Sequence, residues 1–369
     1  MTDFLSRIPA DLEPVAFADL PGVPRDSILT AWPAFLRSCA RLVEDLAVTR
    51  QTTPHPKGLL EAATAAVAAR DINEESAREY FSQFFSASRI RRHPGRNPYD
   101  RGFVTGYYEP EIEASRVRSA SHVTSVLGRP SDLRSDVISV GSTTYTSSRM
   151  LEGRIQPYWN RADIDEGKSS APVIAWVRDP IELFMIQVQG SARLNFPGEP
   201  GVRLAYDGRN GHPYESIGKI LVSEGHIRLE DMSLDSLKTW VRKAGQLRGQ
   251  AGLRLLHRNP SYVFFKLVPD SSPEDGPVGG EGVPLTKLRS LAVDRSIWSY
   301  GLPFWISGSL PGEDGPITEF QRLMIAQDTG SAIIGAARGD IFFGSGDAAG
   351  QAAARVRHYV DMYVLLPKG

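Results

Sequence analysis

Apolar residues recur at helical spacing through the first hundred positions and in short strand-like runs through most of the rest. Phe35, Leu36, Cys39, Leu42, Val43 and Leu46 fall on one helical face, with Pro33 placed for a first turn. Leu59, Leu60, Ala63 and Val67 predict a second helix. A third follows Asn73, whose side chain can cap it. Glu74 and Glu75 favour its first turn, and Ala77, Tyr80, Phe81, Phe84 and Phe85 form its apolar stripe.

From Arg101 the pattern changes. FVTGYYEPEIEAS, VISVGSTTYT, APVIAWVRD, IELFMIQVQGSARL and NPSYVFFKLV are β-branched or aromatic runs split by Gly, Pro and Ser, and they predict strands. Among them Pro213 is placed to open a helix that turns Ile217, Ile220 and Leu221 inward and stops at Gly225. Ser233 is placed to cap another, through Leu237, Trp240 and Val241. The stretch 269–282, PDSSPEDGPVGGEG, has the composition of a linker. A short helix is expected on Pro284, Leu285, Leu288 and Leu291, then an aromatic strand over 297–306. The stretch 323–350 sets Asp328 and Asp340 among the apolar runs 333–334 and 341–343, which read as strands separated by glycine turns. An Ala-rich helix and a strand over 359–366 follow, and no internal repeat is visible.

A length of 369 residues predicts two or three domains. A composition of 41% hydrophobic and 23% charged residues is that of a globular protein with sizeable cores. The net charge of −1 gives no electrostatic reason to expect nucleic acid or an anionic membrane as partner. The local basic cluster Arg89, Arg91, Arg92, His93 and Arg96 reads as a solvated helix end. The single cysteine, Cys39, excludes an intrachain disulfide and reads as a small core residue. No apolar run approaches the ~20 residues of a membrane helix. The opening MTDFLSRIPADLEP shows neither a basic nor an apolar leader region, so no export signal is expected in it.

Several chemistries fail on spacing. The run 344–349, GSGDAA, fits a loose dinucleotide pattern, but too little chain follows for the second strand and acidic residue that such a fold needs. The histidines at 55, 93, 122, 212, 226, 257 and 358 show no metal-ligand spacing. There is no nucleophile elbow and no phosphate-binding loop. Carboxylates and neutral polar groups remain, with no cofactor or metal expected. A carboxylate held at a strand end among apolar neighbours is partly desolvated, which raises its pKa toward that of a working general acid. Asp328 and Asp340 fit this description, and equally fit turn or capping carboxylates. Sugar sites combine aromatic faces with neutral hydrogen-bonding groups. Three clusters have that make-up: Tyr107, Tyr108 and Glu109; Gln187, Gln189, Gly190 and Ser191; and Tyr206, Asp207, Asn210, His212 and Tyr214. Each residue alone is equally a turn or strand residue.

The segments GYYEP (106–110), IQVQGSARL (186–194), YDGRNGHPYESIGKIL (206–221), NPSYVFF (259–265), GVPLTKLRSLAVD (282–294) and AQDTGSAIIGAARGDIFFGSG (326–346) occur in this order. Together they resemble the membrane-bound lytic murein transglycosylase A family, from about Thr105 to the C-terminus. The resemblance implies a mainly β fold with helices: a double-psi β-barrel with a helical N-terminal part, a second β-rich domain inserted into it, and a groove between them. The catalytic domain would comprise 1–110 and 270–369, the insert 111–269. It implies that Asp340 is catalytic, that Asp328 is the second acidic position, and that Thr329 beside it contacts substrate along with the three clusters. The implied reaction cuts the β-1,4 bond between N-acetylmuramic acid and N-acetylglucosamine without water. The muramic C6 hydroxyl attacks its own C1 to leave a 1,6-anhydro end. Peptidoglycan strands would be the substrate, cell-wall synthesis or division proteins the candidate partners, and the periplasm or outer membrane the location. Family members usually carry an export signal and a lipid-attachment cysteine, neither of which this sequence displays, and GSARLNFP departs from the family's usual continuation near Arg193. Two alternatives share the barrel: an inverting glycoside hydrolase using both aspartates and water, and a non-catalytic glycan-binding module like those of expansins.

Overall fold

The structure, a computed structural model, describes residues 8–91, 100–270, 275–312 and 315–368. The chain divides into two compact units, Met1–Tyr108 with Pro273–Gly369, and Glu109–Ser272.

The first unit opens with β1 (Asp11–Val15), α1 (Trp32–Val43), α2 (Leu59–Ala68), α3 (Glu74–Phe84), β2 (Phe85–Arg91) and β3 (Gly102–Glu109). Pro33 stands in the first turn of α1, and Asn73 closes a capping box with Ser76 at the start of α3. Trp32 and Phe35 of α1 meet Tyr80, Phe81 and Phe85 in one aromatic cluster, with Trp32 edge-on to Tyr80 at 4.9 Å. The apolar stripes are narrower than the spacing predicts. Leu46 falls beyond α1, and Val43, Leu46 and Leu60 are exposed. The basic cluster is also corrected: α3 passes directly into β2, so Arg89 and Arg91 stand on a strand. There they pair with Asp361, and with Glu13 and Asp100. Arg92, His93 and Arg96 lie outside the described residues.

The second unit holds β4 (Glu111–Glu113), β5 (Thr124–Leu127), β6 (Ile138–Val140), β7 (Thr143–Tyr145), β8 (Ser148–Leu151), β9 (Arg154–Pro157), α4 (Arg161–Asp165), β10 (Val173–Val177), α5 (Pro180–Gln189), β11 (Ala192–Asn195), β12 (Val202–Arg209), α6 (Ile217–Ser223), α7 (Leu234–Lys243), α8 (Ala251–His257) and β13 (Val263–Pro269). Its main sheet runs β13-β12-β11-β4. The run 181–189, expected as a strand, is helix α5, capped by Asp179 with Pro180 in its first turn. The reason is burial on both sides. Leu183 and Ile186 enter the core under the sheet, while Ile181, Phe184 and Met185 enter a second core with α6, α7 and α8. A segment apolar all round carries no helical period. Helix α6 starts at its Ser216 cap rather than at Pro213.

The chain returns through β14 (Ser290–Val293), β15 (Pro303–Pro311), β16 (Ile317–Asp328), β17 (Arg338–Ser345), α9 (Gly346–Ala354) and β18 (Arg357–Pro367). The order β18-β15-β16-β14-β17-β3 closes when β3 pairs with β18, giving a six-stranded barrel consistent with the double-psi arrangement. Closure removes free sheet edges. The barrel core is filled by Phe304, Met324, Leu291, Ile341 and Val364, which the register puts on one face and which are all fully buried. Three local expectations are corrected here. Residues 284–289 form no helix: Leu291 belongs to β14, and Leu288 adopts a left-handed φ of 54°. The aromatic strand begins at Pro303, because 297–301 is a turn region. Residues 333–334 lie in the connection between β16 and β17, with Ile333 buried and Ile334 exposed. The second half of the expected linker is packed structure, as Gly276, Gly279 and the buried Glu281 show through backbone bonds to Leu285, Val283 and Gln327.

Candidate active site

Both conspicuous aspartates belong to the barrel and flank one residue. Ala292 of β14 registers with Asp340 on β17 and with Asp328 on β16, so the two backbones stand two strand spacings, about 10 Å, apart. Asp328 reaches this register through an irregularity between Leu291 and Ala292. An unbroken ladder from Leu291 and Ala326 would have put Gln327 opposite Ala292, so the bulge sets which side chain faces the site.

Strand β3 supplies the next two groups by simple alternation. The Thr105 hydroxyl donates to Asp340 Oδ1 at 2.5 Å, and the Tyr107 hydroxyl donates to Asp328 Oδ2 at 3.0 Å. Arg338, two residues before Asp340, donates to Thr105 Oγ1 at 2.7 Å. A guanidinium has only donors, so Thr105 must accept there and direct its own proton at Asp340. The second oxygen of Asp328 accepts the Gly280 N–H at 2.8 Å. Phe342 packs beside Tyr107 at 5.4 Å between ring centres.

The two carboxyls are held differently. Asp340 is half-buried, and loss of water around its carboxyl pushes its pKa up to about 6. Arg338 and the Thr105 bond pull it down, and the neighbouring Asp328 adds to the rise. It can therefore carry a proton near neutral pH and release it. Asp328 accepts from two donors, one on each oxygen. Burial, then the charges of Asp328 and Asp340, hold the Tyr107 phenol well above its ordinary pKa, so it remains a donor.

The other sequence candidates are distributed as follows. Tyr108 turns to the opposite side of β3, where its ring lies close against Gly350 of α9. Thr329 is buried, with its hydroxyl on the Val293 carbonyl. The remaining candidates lie in the second unit. Glu109 is fully buried and faces Arg193 and Arg203 at 3.3–3.4 Å. Gln187 accepts from Arg161 and donates to the Val263 carbonyl. Asn210 donates to the carbonyls of Trp159 and Pro260 and accepts from the N–H groups of Tyr262 and His212. His212 donates Nε2–H to the Tyr158 carbonyl, and burial holds its pKa below the usual value. Gly190 ends α5 at a φ of 85°, with Ser191 buried beside it. Gln189 and Tyr206 are half-buried and Tyr214 is exposed. Sequence reading passed over Thr105, Arg338 and Gly280. Thr105 had a signal: it stands two residues before Tyr107, on the same face of its strand.

Among the described residues no group of His, Cys, Asp and Glu is arranged to hold a metal. No described helix is long and apolar enough to cross a membrane.

A barrel carrying this acid, interrupted by a mixed α/β insert, is the organisation of two matching family models. Residues 103–266 match the MltA specific insert domain and residues 289–366 the 3D domain. The membrane-bound lytic murein transglycosylase A of Escherichia coli K12 is 34% identical over 279 residues, 73% of this chain and 67% of that protein. The crystal structure of the membrane-bound lytic murein transglycosylase from Agrobacterium tumefaciens is 32% identical, with a TM-score of 0.81 over 97% of this chain and 98% of the other. Escherichia coli MltA, solved with bound chitohexaose, is 25% identical, with a TM-score of 0.67 over 97% and 95% of the two chains. The chain belongs to the MltA family of lytic murein transglycosylases.

Proposed function

We propose that this protein cleaves the β-1,4 bond between N-acetylmuramic acid and N-acetylglucosamine of peptidoglycan by internal attack, leaving 1,6-anhydromuramic ends. Asp340 is the catalytic acid and base, and the observation that carries this is its carboxyl, pushed up to about 6 and tethered by Thr105. Protonated Asp340 gives its proton to the leaving glycosidic oxygen as the C1–O bond breaks. The resulting carboxylate takes the proton of the muramic C6 hydroxyl as that oxygen bonds to C1. The nucleophile belongs to the substrate, so positioning supplies much of the rate. Asp328, already accepting from Gly280 and Tyr107, orients the donor groups around the site rather than activating a water. The relatives' names and the chitohexaose bound to Escherichia coli MltA support a glycan substrate and a place in the cell envelope. On this reading the barrel unit, with its N-terminal helices, carries the chemistry, and the inserted unit 111–269 serves glycan binding.

Mass spectrometry of products released from purified peptidoglycan tests the reaction, with Asp340→Asn alongside. Products one water lighter than reducing-end muropeptides are expected from the wild type and none from the variant. Ordinary reducing ends would make water the nucleophile and Asp328 the candidate base of an inverting hydrolase.

A further inference from the structure

Directly behind Asp328 lies a buried polar network that the proposed proton transfers do not use. Ser38 of α1 donates to Glu281 Oε2 at 2.7 Å and accepts from Gln327 Nε2 at 2.9 Å. Gln327 also donates to the Ala34 carbonyl, and its side-chain oxygen accepts from Ser290 at 2.6 Å. The Glu281 N–H closes the circuit on the Gln327 backbone carbonyl at 3.0 Å. Glu281 is only 4% exposed, and Ser38, Gln327 and Ser290 are buried with it.

The backbone neighbours of this network are site residues. Gln327 immediately precedes Asp328, and Gly280, whose N–H holds Asp328, immediately precedes Glu281. The turn 279–282 is closely fitted. A methyl group on Gly280 would stand 2.4 Å from the Tyr300 hydroxyl and 3.3 Å from Asp328 Oδ1. Small shifts of this turn therefore reach Asp328 directly.

We propose that Glu281 is a positioning residue: through Ser38 and Gln327 it pins the turn 279–282 so that Gly280 keeps its hydrogen bond to Asp328. The inference rests on the reading of Asp328 and Asp340 given above. The groups facing Glu281 are Ser38, Cys39 and Arg41 from α1, with Tyr300 and Gln327 from the barrel. Arg41 alone is cationic, and its guanidinium is bonded to the carbonyls of Gly282 and Ala47. Burial pushes the Glu281 carboxyl up to about 8, against the Ser38 bond and the attraction of Arg41. At neutral pH it is therefore the neutral acid. Above pH 8 the new anion draws Arg41 away from the Gly282 carbonyl, the turn slackens, and Asp328 loses its Gly280 donor.

The test compares pH profiles of turnover on isolated glycan strands for wild type, Glu281→Gln and Glu281→Ala, with infrared spectra of the protonated-carboxyl band. The Gln side chain mimics the neutral acid but cannot ionise. It is expected to keep neutral-pH turnover within a few-fold of wild type, to leave the decline that Asp340 begins near pH 6, and to remove the further, steeper fall above about pH 8. Glu281→Ala should lose about tenfold at neutral pH, since it leaves Ser38 without its acceptor. Should the Ala variant not fold, Ser38→Ala serves. It removes a bond that favours the ionised acid, and so shifts the fall above pH 8 upward. A fall above pH 8 that persists unchanged in Glu281→Gln, or Gln no better than Ala, would overturn the assignment. Wild type without anhydro products at any pH would instead overturn the reaction, while the band lost in Glu281→Gln still reports whether Glu281 holds a proton.

Discussion

Two polar clusters in this molecule look alike in sequence and differ in what their hydrogen bonds leave over. In the second unit Asn210 makes four bonds, all to backbone groups, and Gln187 and Arg161 likewise tie α4 and α5 to the β13 segment. Glu109 and Asp270, at the two ends of that unit, share Arg193 and Arg203. The Asn210 and Gln187 bonds satisfy buried groups, so their chemistry is used up within the fold. In the barrel Asp340 accepts from Thr105 on one oxygen, sits half-buried, and holds a proton more firmly than an ordinary aspartate. A perturbed carboxyl with capacity left over marks a working site. A saturated network marks architecture.

The largest effect that should separate the two comes from Asp340→Asn. Turnover of peptidoglycan should fall by about 10³-fold or more, while the fold is stabilised. The native carboxyl binds its proton up to about pH 6, above the ordinary 3.8 of the unfolded chain, so native stability falls as pH rises between those values. Removing the charge should raise stability at pH 7 by about 3 kcal/mol, an advantage that disappears below about pH 4. Denaturant unfolding at pH 4 and 7 measures it. A variant destabilised at both would mean the carboxyl is architectural after all.

Asn210→Ala is the opposite case. It strands two buried carbonyls and two N–H groups, and should cost about 2–4 kcal/mol of stability. Turnover per folded molecule should change little. A loss of glycan binding in the folded variant, measured by calorimetry with a chito-oligosaccharide, would make Asn210 a ligand contact.

How far this contrast was legible in the sequence depends on what sets each position. Asp340 and Asp328 were visible because glycine-bounded apolar runs and a family-specific motif surround them. The caps at Asn73 and Ser233 were visible because they are local. Helix α5 was not, since burial against two cores erases its periodicity. Glu281 was hidden in a Pro- and Gly-rich stretch whose composition reads as linker, although close backbone contact is what demands those glycines. The partnership of Thr105 with Asp340 joins positions 235 residues apart, which no window of local pattern spans.

The smallest effects sharpen the barrel itself. Tyr107→Phe removes one donor from Asp328 and should lower turnover by about tenfold. Thr105→Val is more informative, because the two hydroxyls act on different carboxyls. The Thr105 bond holds the Asp340 pKa down, and so does Arg338, whose donor bond passes through the same oxygen. Without that hydroxyl the Asp340 pKa should rise above 6, so the alkaline limb of turnover moves to higher pH while the maximum rate drops a few-fold. Tyr107→Phe should leave that limb where it is, since its partner is Asp328. If the two variants move the limb alike, the limb does not report Asp340 alone. If only Thr105→Val moves it, the proton that matters sits on Asp340.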